Sequence, residues 1–494
     1  MWEARAYYYA KIVLRRKGYP VDDLKFDPEL VCRGLVIDKE LGNLIKVDRF
    51  GYVRRAMHGS RRLAQDEVVA IYGRTVVNLR EGSRYEFVNT LFSCSEGCLY
   101  AQLVDKFDDG RLKDESVEPF DCDRVNDYAK LHHAVSRALF RAHVQGDLKA
   151  EVVKNPEAFV RLDPDLAQTL LDQQSAGKAL VLITNSDWWY TEAMMSFIID
   201  RYLEPGKTGK TWRSLFDIVV VSSSKPAFFS QKMPLYELAD PTQGLMRQTF
   251  ELRQGGLYSG GAVTGRVMCA RVACARSWRA RTRVTLALRI RTGPLMLVAL
   301  PHRPTTAAAR VLPKGSARMV EKLFRCSPDK MLYVGDHIFT DLTAAKATMR
   351  WRTALVVQEL EKEIEAQQAE REQYDTLEHL LGELDSCRAR INRIRNIQGK
   401  RDPDPGELRE LDELQATSDA LAARLAPLLF NEGATFNPYW GHISRAGFSD
   451  KSHLMRQIEK YADVYTSRVS NFLVHTPHAS FRGFRQALAH DSCF

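Results

Sequence analysis

Cysteine is sparse and unpatterned in this chain: nine in 494 residues, with no CxxC pair and no Cys/His cluster at zinc spacing. A disulfide-stapled secreted scaffold is excluded, and a reduced intracellular setting is the simpler reading. Cys94 and Cys98 fall on one helical turn near Phe92 and Leu99, where two small buried side chains account for them without a metal. Long apolar runs are also missing. Pro294–Leu300 is the best candidate, and it is far short of the roughly 20 residues that span a bilayer. Met1-Trp2-Glu3-Ala4-Arg5 opens no signal-peptide core. The chain thus reads as cytoplasmic, with no membrane partner; an organelle-targeting segment would belong ahead of Met1.

Acids are absent from one stretch only. Ala262 to Lys314 carries ten Arg, one Lys and no Asp or Glu, a local charge of +11. Subtracted from the chain's formal +9, that leaves −2 for everything else. The basic character belongs to a single segment, so nucleic acid is not expected as a general partner. The segment also holds VTLALRI and PLMLVAL, where a nucleic-acid arm would carry solvating polar residues. It interrupts GGLYSGG (255–261) and GSARMVEKLF (315–324), which would join smoothly without it, and it resembles translated non-coding sequence.

What remains is ordinary globular composition, 45% hydrophobic and 27% charged, long enough for about two to four structural units. Residues 33–58 alternate apolar and polar side chains about Leu41-Gly42-Asn43, the pattern of a β-hairpin or meander. Helical periodicity follows over 86–107 and 127–144. Three short apolar runs then each end in polar residues: KALVLITNSD, FDIVVVSSSK and MLYVGDHIFTD. Helical segments at 190–202 and 318–324 lie between them, and strands alternating with helices predict an α/β fold with a parallel, doubly wound sheet. Ligands in such a sheet bind beyond the carboxyl ends of the strands. Downstream, 359–396 and 407–428 read as an antiparallel helical hairpin about Asp402-Pro403-Asp404-Pro405-Gly406. A scaffold or an oligomer contact is its expected role. The amphipathic 440–473 is expected to pack back on the main body.

The strand ends carry the chemistry. In YVGDHIFTD a strand delivers Asp336 to its tip and Asp341 follows five residues later; two such carboxylates could share a hard cation such as Mg2+, one directly and one through water. In LITNSD, Thr184, Asn185 and Ser186 offer a hydroxyl and backbone N–H groups to phosphate oxygens near a helix start. In VVVSSSKPAFF, Lys225 can neutralise charge on the same phosphoryl group. Each alone reads as a cap or turn residue; three in this order after three strands point to phosphoryl transfer.

The order hhhhTNSD, K-P-x-F-F and YxGDHIxxD resembles the haloacid dehalogenase (HAD) superfamily, in particular its IG-type purine 5'-nucleotidases, and most of all their plant and algal members. RGLVIDKELGNLIKVDRFGYVRRAMHG, GGLYSGG and MRQIEKYADVYTSRVSNFL are similar to stretches of the same family. The resemblance implies a Mg2+-dependent hydrolase of nucleoside 5'-monophosphates working through an aspartyl-phosphate. Thr184 would be the phosphate-binding residue of the second motif, Lys225 the lysine of the third, Asp336 the metal ligand of the fourth with Asp341 supporting it, and His143 and Lys149 would lie near the nucleotide. Purine-specific members have an arginine and an aspartate where this chain has Ser136 and Phe140. The family's first motif, an apolar strand ending in D-x-D-x-T/V that supplies the nucleophile, has no counterpart ahead of the hairpin. Asp163-Pro-Asp165 and Asp402-Pro-Asp404 match only in part. The implied organisation is a HAD-like core piece over 1–60, a helical cap region over 61–177, core motifs two to four over 178–358, the hairpin over 359–428 and a packing segment over 429–494. Without its nucleophile the chain as given is expected to be inactive; the alternative is a non-catalytic nucleotide-binding or scaffold protein.

Overall fold

The computed structural model describes residues 2–79, 81–112, 125–144, 146–203, 210–231, 233–242, 244–249, 251–260, 317–398 and 404–481. The basic stretch 262–314 lies outside them.

Thirteen strands form three sheets among these residues. Alternation over 33–58 gives an antiparallel meander, β1 (Val36–Asp38), β2 (Asn43–Val47) and β3 (Val53–His58), extended by β4 (Arg61–Arg62) and by β5 (Tyr85–Phe87) on β1. The first and second apolar runs become β6 (Val181–Ile183) and β7 (Ile218–Val221), paired in parallel. β8 (Leu235–Asp240), β9 (Leu245–Thr249) and β10 (Gly256–Gly260) complete that sheet in the order β6-β7-β10-β8-β9, with β10 parallel to β7 and antiparallel to β8. The third run becomes β11 (Leu332–Gly335), parallel to β12 (Arg352–Val356), and β12 is parallel to β13 (Val464–Thr466).

In place of the single parallel sheet expected from the sequence there are two sheets, one mixed and one wholly parallel. β6 ends one and β11 ends the other. Both edges are buried, with Val181, Ile183, Tyr333 and Val334 at 0% exposure, although an edge strand carries a row of unpaired backbone groups that is costly to hide from water. Alternate side chains of the two sheets enter the same two cores, as the two-residue period of a strand dictates. Leu182, Val219 and Val334 join one core, and Val181, Val220 and Tyr333 the other.

The first core is closed by helices. α1 (Trp2–Arg15) contributes Trp2, Ala6, Tyr7, Ala10, Val13 and Leu14 from a face with helical spacing. α2 (Gln65–Tyr72) covers the meander, while α3 (Leu91–Asp108), α4 (Tyr128–Val144), α5 (Asp147–Lys154), α6 (Asp165–Ser175) and α7 (Trp188–Ile199) add to the first core. The second core is lined by α8 (Ala227–Ser230) and α9 (Ala317–Phe324). Beyond β12 come α10 (Leu360–Ala369), α11 (Arg371–Gln398) and α12 (Pro405–Phe430); the last two pack through Leu377, Leu380, Leu384, Leu421 and Leu425. α12 opens with a capping box between Asp404 and Glu407. α13 (His453–Tyr461) precedes β13. No helix among the described residues is long and apolar enough to cross a membrane.

Candidate active site at the strand ends

Three strands deliver polar loops to one place. After β6, the Ser186 backbone N–H donates to Thr184 Oγ1 (3.1 Å), so Thr184, 2% exposed, shapes its own turn ahead of α7. Asn185 then ties this loop to the one after β7: its Oδ1 accepts from Ser223 Oγ (2.9 Å) and from the Lys225 N–H (2.7 Å). Backbone bonds from Ser222 to the Ser186 carbonyl (2.7 Å) and from Ser223 to the Thr184 carbonyl (2.9 Å) fasten the loops further. Ser222 and Ser224 adopt left-handed φ of 49° and 58°, conformations that cost non-glycine residues of order 1 kcal/mol or more and gather at functional loops. Here they aim Lys225 inward.

Lys225 crosses from the sheet of β6 and β7 to the sheet of β11. Its Nζ lies 2.8 Å from Asp341 Oδ1 and 3.0 Å from the Tyr333 hydroxyl, which itself donates to Asp341 Oδ1 (3.0 Å). All three groups are buried. Asp341 Oδ2 accepts the His337 N–H at 3.4 Å. Gly335 makes the close approach feasible, because a Cβ there would meet Asp341 Oδ2 at 2.7 Å. The loop from Asp336 enters wide helical turns at Ile338–Thr343 and Ala345–Met349. His337 Nδ1 accepts the Thr340 N–H at 3.0 Å, and burial lowers the His337 pKa to about 4, leaving the ring neutral.

Asp336 is the carboxylate with spare capacity. Burial, with the Asp341 charge beside it, pushes its pKa up to about 6, while Lys225 and Arg33 act in the opposite sense. Its Oδ1 is buried without a hydrogen-bond partner. A buried, unsatisfied carboxylate oxygen calls for a cation or a donor. Among the described residues no three His, Cys, Asp or Glu side chains gather as a metal cage. That donor set suits Mg2+, which keeps waters and is commonly held by one or two carboxylates plus substrate phosphate. Asp341 is engaged with Lys225 and Tyr333 and so serves this site first as the counter-ion of the lysine.

Ser186 Oγ is buried without a partner at the same strand ends, a hydroxyl donor left open. Lys149, on α5, reaches the rim of the LITNSD loop: its Nζ pairs with Asp187 Oδ2 (2.9 Å) and sits 5.4 Å from the Tyr190 ring centre. His143 belongs to α4, with its side chain outside the described residues. The structure thus gathers Thr184, Asn185, Ser186, Lys225 and Asp341 into one bonded network with Asp336 adjacent, while Lys149 pairs with Asp187, the residue after Ser186. Asp163 lies elsewhere, accepting from Ser470 Oγ (2.6 Å). Sequence reasoning missed Tyr333, hidden in an apolar run, and Asp187, the partner of Lys149. Cys94 and Cys98 bond to the carbonyls of Thr90 and Asp27, in keeping with their reading as structural residues.

Fold and site together define a mixed α/β protein with a lysine–carboxylate centre where a mixed sheet meets a parallel one. A model of the 5' nucleotidase family matches residues 1–274 and 278–493, most of 262–314 included. A 5'-nucleotidase domain-containing protein of Dictyostelium discoideum is 24% identical over 483 residues, covering 96% of this chain and 66% of its own length. The 5'-nucleotidase domain-containing protein 2 of Rattus norvegicus and that of Homo sapiens are each 24% identical, with 97% of this chain covered and 72% and 77% of theirs. The chain belongs to the 5' nucleotidase family. It spans just under two thirds of the Dictyostelium relative.

Proposed function

We propose that the chain carries the phosphate- and cation-binding half of a Mg2+-dependent phosphatase of the HAD type, acting on nucleoside 5'-monophosphates. Family membership supports a hydrolase of nucleotides. The observation that carries the finer reading is the pairing of Lys225 after β7 with Asp341 after β11, Asp336 beside them, with Ser186 Oγ after β6 and Asp336 Oδ1 buried and unpartnered. In this reading Ser186, Thr184 and the adjoining backbone N–H groups hold the phosphoryl oxygens, Lys225 offsets their charge, and Asp336 with Asp341 behind it holds the cation. Mg2+ when bound would further neutralise the phosphoryl group. By the family resemblance Lys149 and His143 would lie near the nucleotide.

The nucleophile would come from an aspartate at the tip of a strand seated between β6 and β11, the two buried edges. Its carboxylate oxygen would bond to phosphorus as the P–O5' bond breaks, the nucleoside oxygen taking a proton from a second carboxylic acid two residues on; water would then cleave the acyl phosphate. No described residue fills that place, so the chain as given is read as inactive. The test compares this chain with a version extended upstream by such a strand. The extended protein should release phosphate from nucleoside monophosphates with Mg2+, and its Asp336→Asn variant should not. Silence from the extended protein on every nucleotide would sink the phosphatase reading.

A second reading, a non-catalytic binder of nucleotide or phosphate, is favoured by the same missing carboxylate. It expects saturable phosphate binding with no turnover in both versions.

A further inference from the structure

Arg33 follows the α1 layer and precedes the meander, far in sequence from every strand-end motif. Yet its side chain is 3% exposed, and it is held between two elements that come 303 and 326 residues later. Its Nη1 points to the Asp336 carbonyl at 3.5 Å, and its Nη2 pairs with Glu359 Oε2 at 2.9 Å. Glu359 immediately precedes α10, the start of the helical arm. A guanidinium suits this task because its planar fork presents several donors in fixed directions, so one side chain can register two acceptors against each other.

The surroundings argue against a purely stabilising role. An ion pair this buried gains little over well-packed apolar residues, since desolvation offsets the attraction. It is also incompletely satisfied: Arg33 Nε, Glu359 Oε1 and Asp336 Oδ1 are each buried without a hydrogen-bond partner. Half-satisfied buried networks are poor at stabilising a fold and ask for another explanation. The Arg33 charge is moreover one of those acting directly on the Asp336 carboxylate.

We propose that Arg33 is a positioning residue for the cation site: it fixes the Asp336 backbone and, through Glu359, locks that loop to the root of the α10–α12 arm. The inference rests on the reading of Asp336 as the cation ligand. The proposed phosphate-binding groups Thr184, Ser186 and Lys225 lie in the loops after β6 and β7, in the other sheet, and make no bond to Arg33, so cation and phosphate affinities respond to Arg33 differently.

The test uses the full chain with Mn2+ as the probe, free ion being followed by electron paramagnetic resonance with and without inorganic phosphate. Phosphate affinity is measured separately without metal. Arg33→Met should weaken Mn2+ binding about 10- to 100-fold, the range seen when outer-shell partners of a metal ligand are removed, and leave phosphate affinity unchanged. Arg33→Lys should recover part of the loss, since one ammonium can serve only one of the two acceptors well. Glu359→Gln cuts the same tie from the arm and should weaken Mn2+ in the same direction, which keeps the question answerable if Arg33→Met fails to fold. Wild-type Mn2+ affinity in Arg33→Met and Glu359→Gln, or parallel losses of Mn2+ and phosphate binding, would overturn the positioning role alone. If the wild-type chain holds no Mn2+ in any condition, or Asp336→Asn holds it equally well, the cation reading itself falls and Arg33's role with it.

Discussion

The Lys225–Asp341 pair is the most consequential contact between single residues. Both side chains are at most 2% exposed, and removing one partner of a buried pair strands the other charge at a cost of about 3–5 kcal/mol. Lys225→Met should therefore lower unfolding stability by about that much in urea denaturation, and Lys225→Met with Asp341→Leu should recover most of it. A loss under about 1 kcal/mol for the single variant would show the pair to be solvated. A second residue-scale prediction concerns pH. Burial pushes the Glu96 carboxyl up to about 7 from an ordinary 4.5, and burial lowers the neighbouring His132, 3.3 Å away, to about 3. A raised acid binds its proton more tightly folded than unfolded, so its contribution is lost as pH rises from about 4.5 to 7. A lowered histidine does the opposite below about 6.5. The two slopes largely cancel up to about pH 6.5. Glu96→Gln removes only the first, so its stability relative to wild type should climb by a few kcal/mol between about pH 4.5 and 7.5, each pH step of one across that window being worth about 1.4 kcal/mol. Denaturation at the two pH values checks it.

At the scale of elements, the α11–α12 arm is held by a small leucine cluster of its own. Leu380→Ala should cost about 2–5 kcal/mol through the cavity it leaves. The loss should be local: amide exchange should rise throughout α11 and α12 while β7 stays protected. The elements also show what the sequence could reveal. β6, β7 and β11 were legible because each is an apolar run ending in turn-forming polar residues, and their order placed Thr184, Lys225 and Asp336 at one end of the fold. β5, β13 and the β8–β9 hairpin were not, since Tyr85–Phe87 adjoins a helical pattern and Val464–Thr466 is a three-residue strand defined by its partner β12. The split between β6 and β11 was legible only as the absence of a first-motif strand. Arg33 and Tyr333 were illegible for another reason: their roles arise from contacts with residues hundreds or several positions away, and no local period encodes such a contact.

At the scale of the whole molecule, charge is divided between a basic insert and a slightly acidic remainder. Excising 262–314 should reverse the chain's net sign near neutral pH, and the shortened protein should pass through a cation exchanger that retains the full chain. The architecture divides as well. The mixed and the parallel sheet share their cores but no backbone hydrogen bond among the described residues, and the Lys225 ammonium fastens one to the other. The same ammonium is the group that an incoming phosphate would claim. If the proposed phosphate site is right, anchor and receptor would be one atom, and a ligand that occupies it would loosen this one polar tie between the two sheets. Phosphate, though it favours the folded chain as a whole, should speed hydrogen exchange along β11; slower exchange there on binding would mean that Lys225 keeps its grip on Asp341 while it holds the anion.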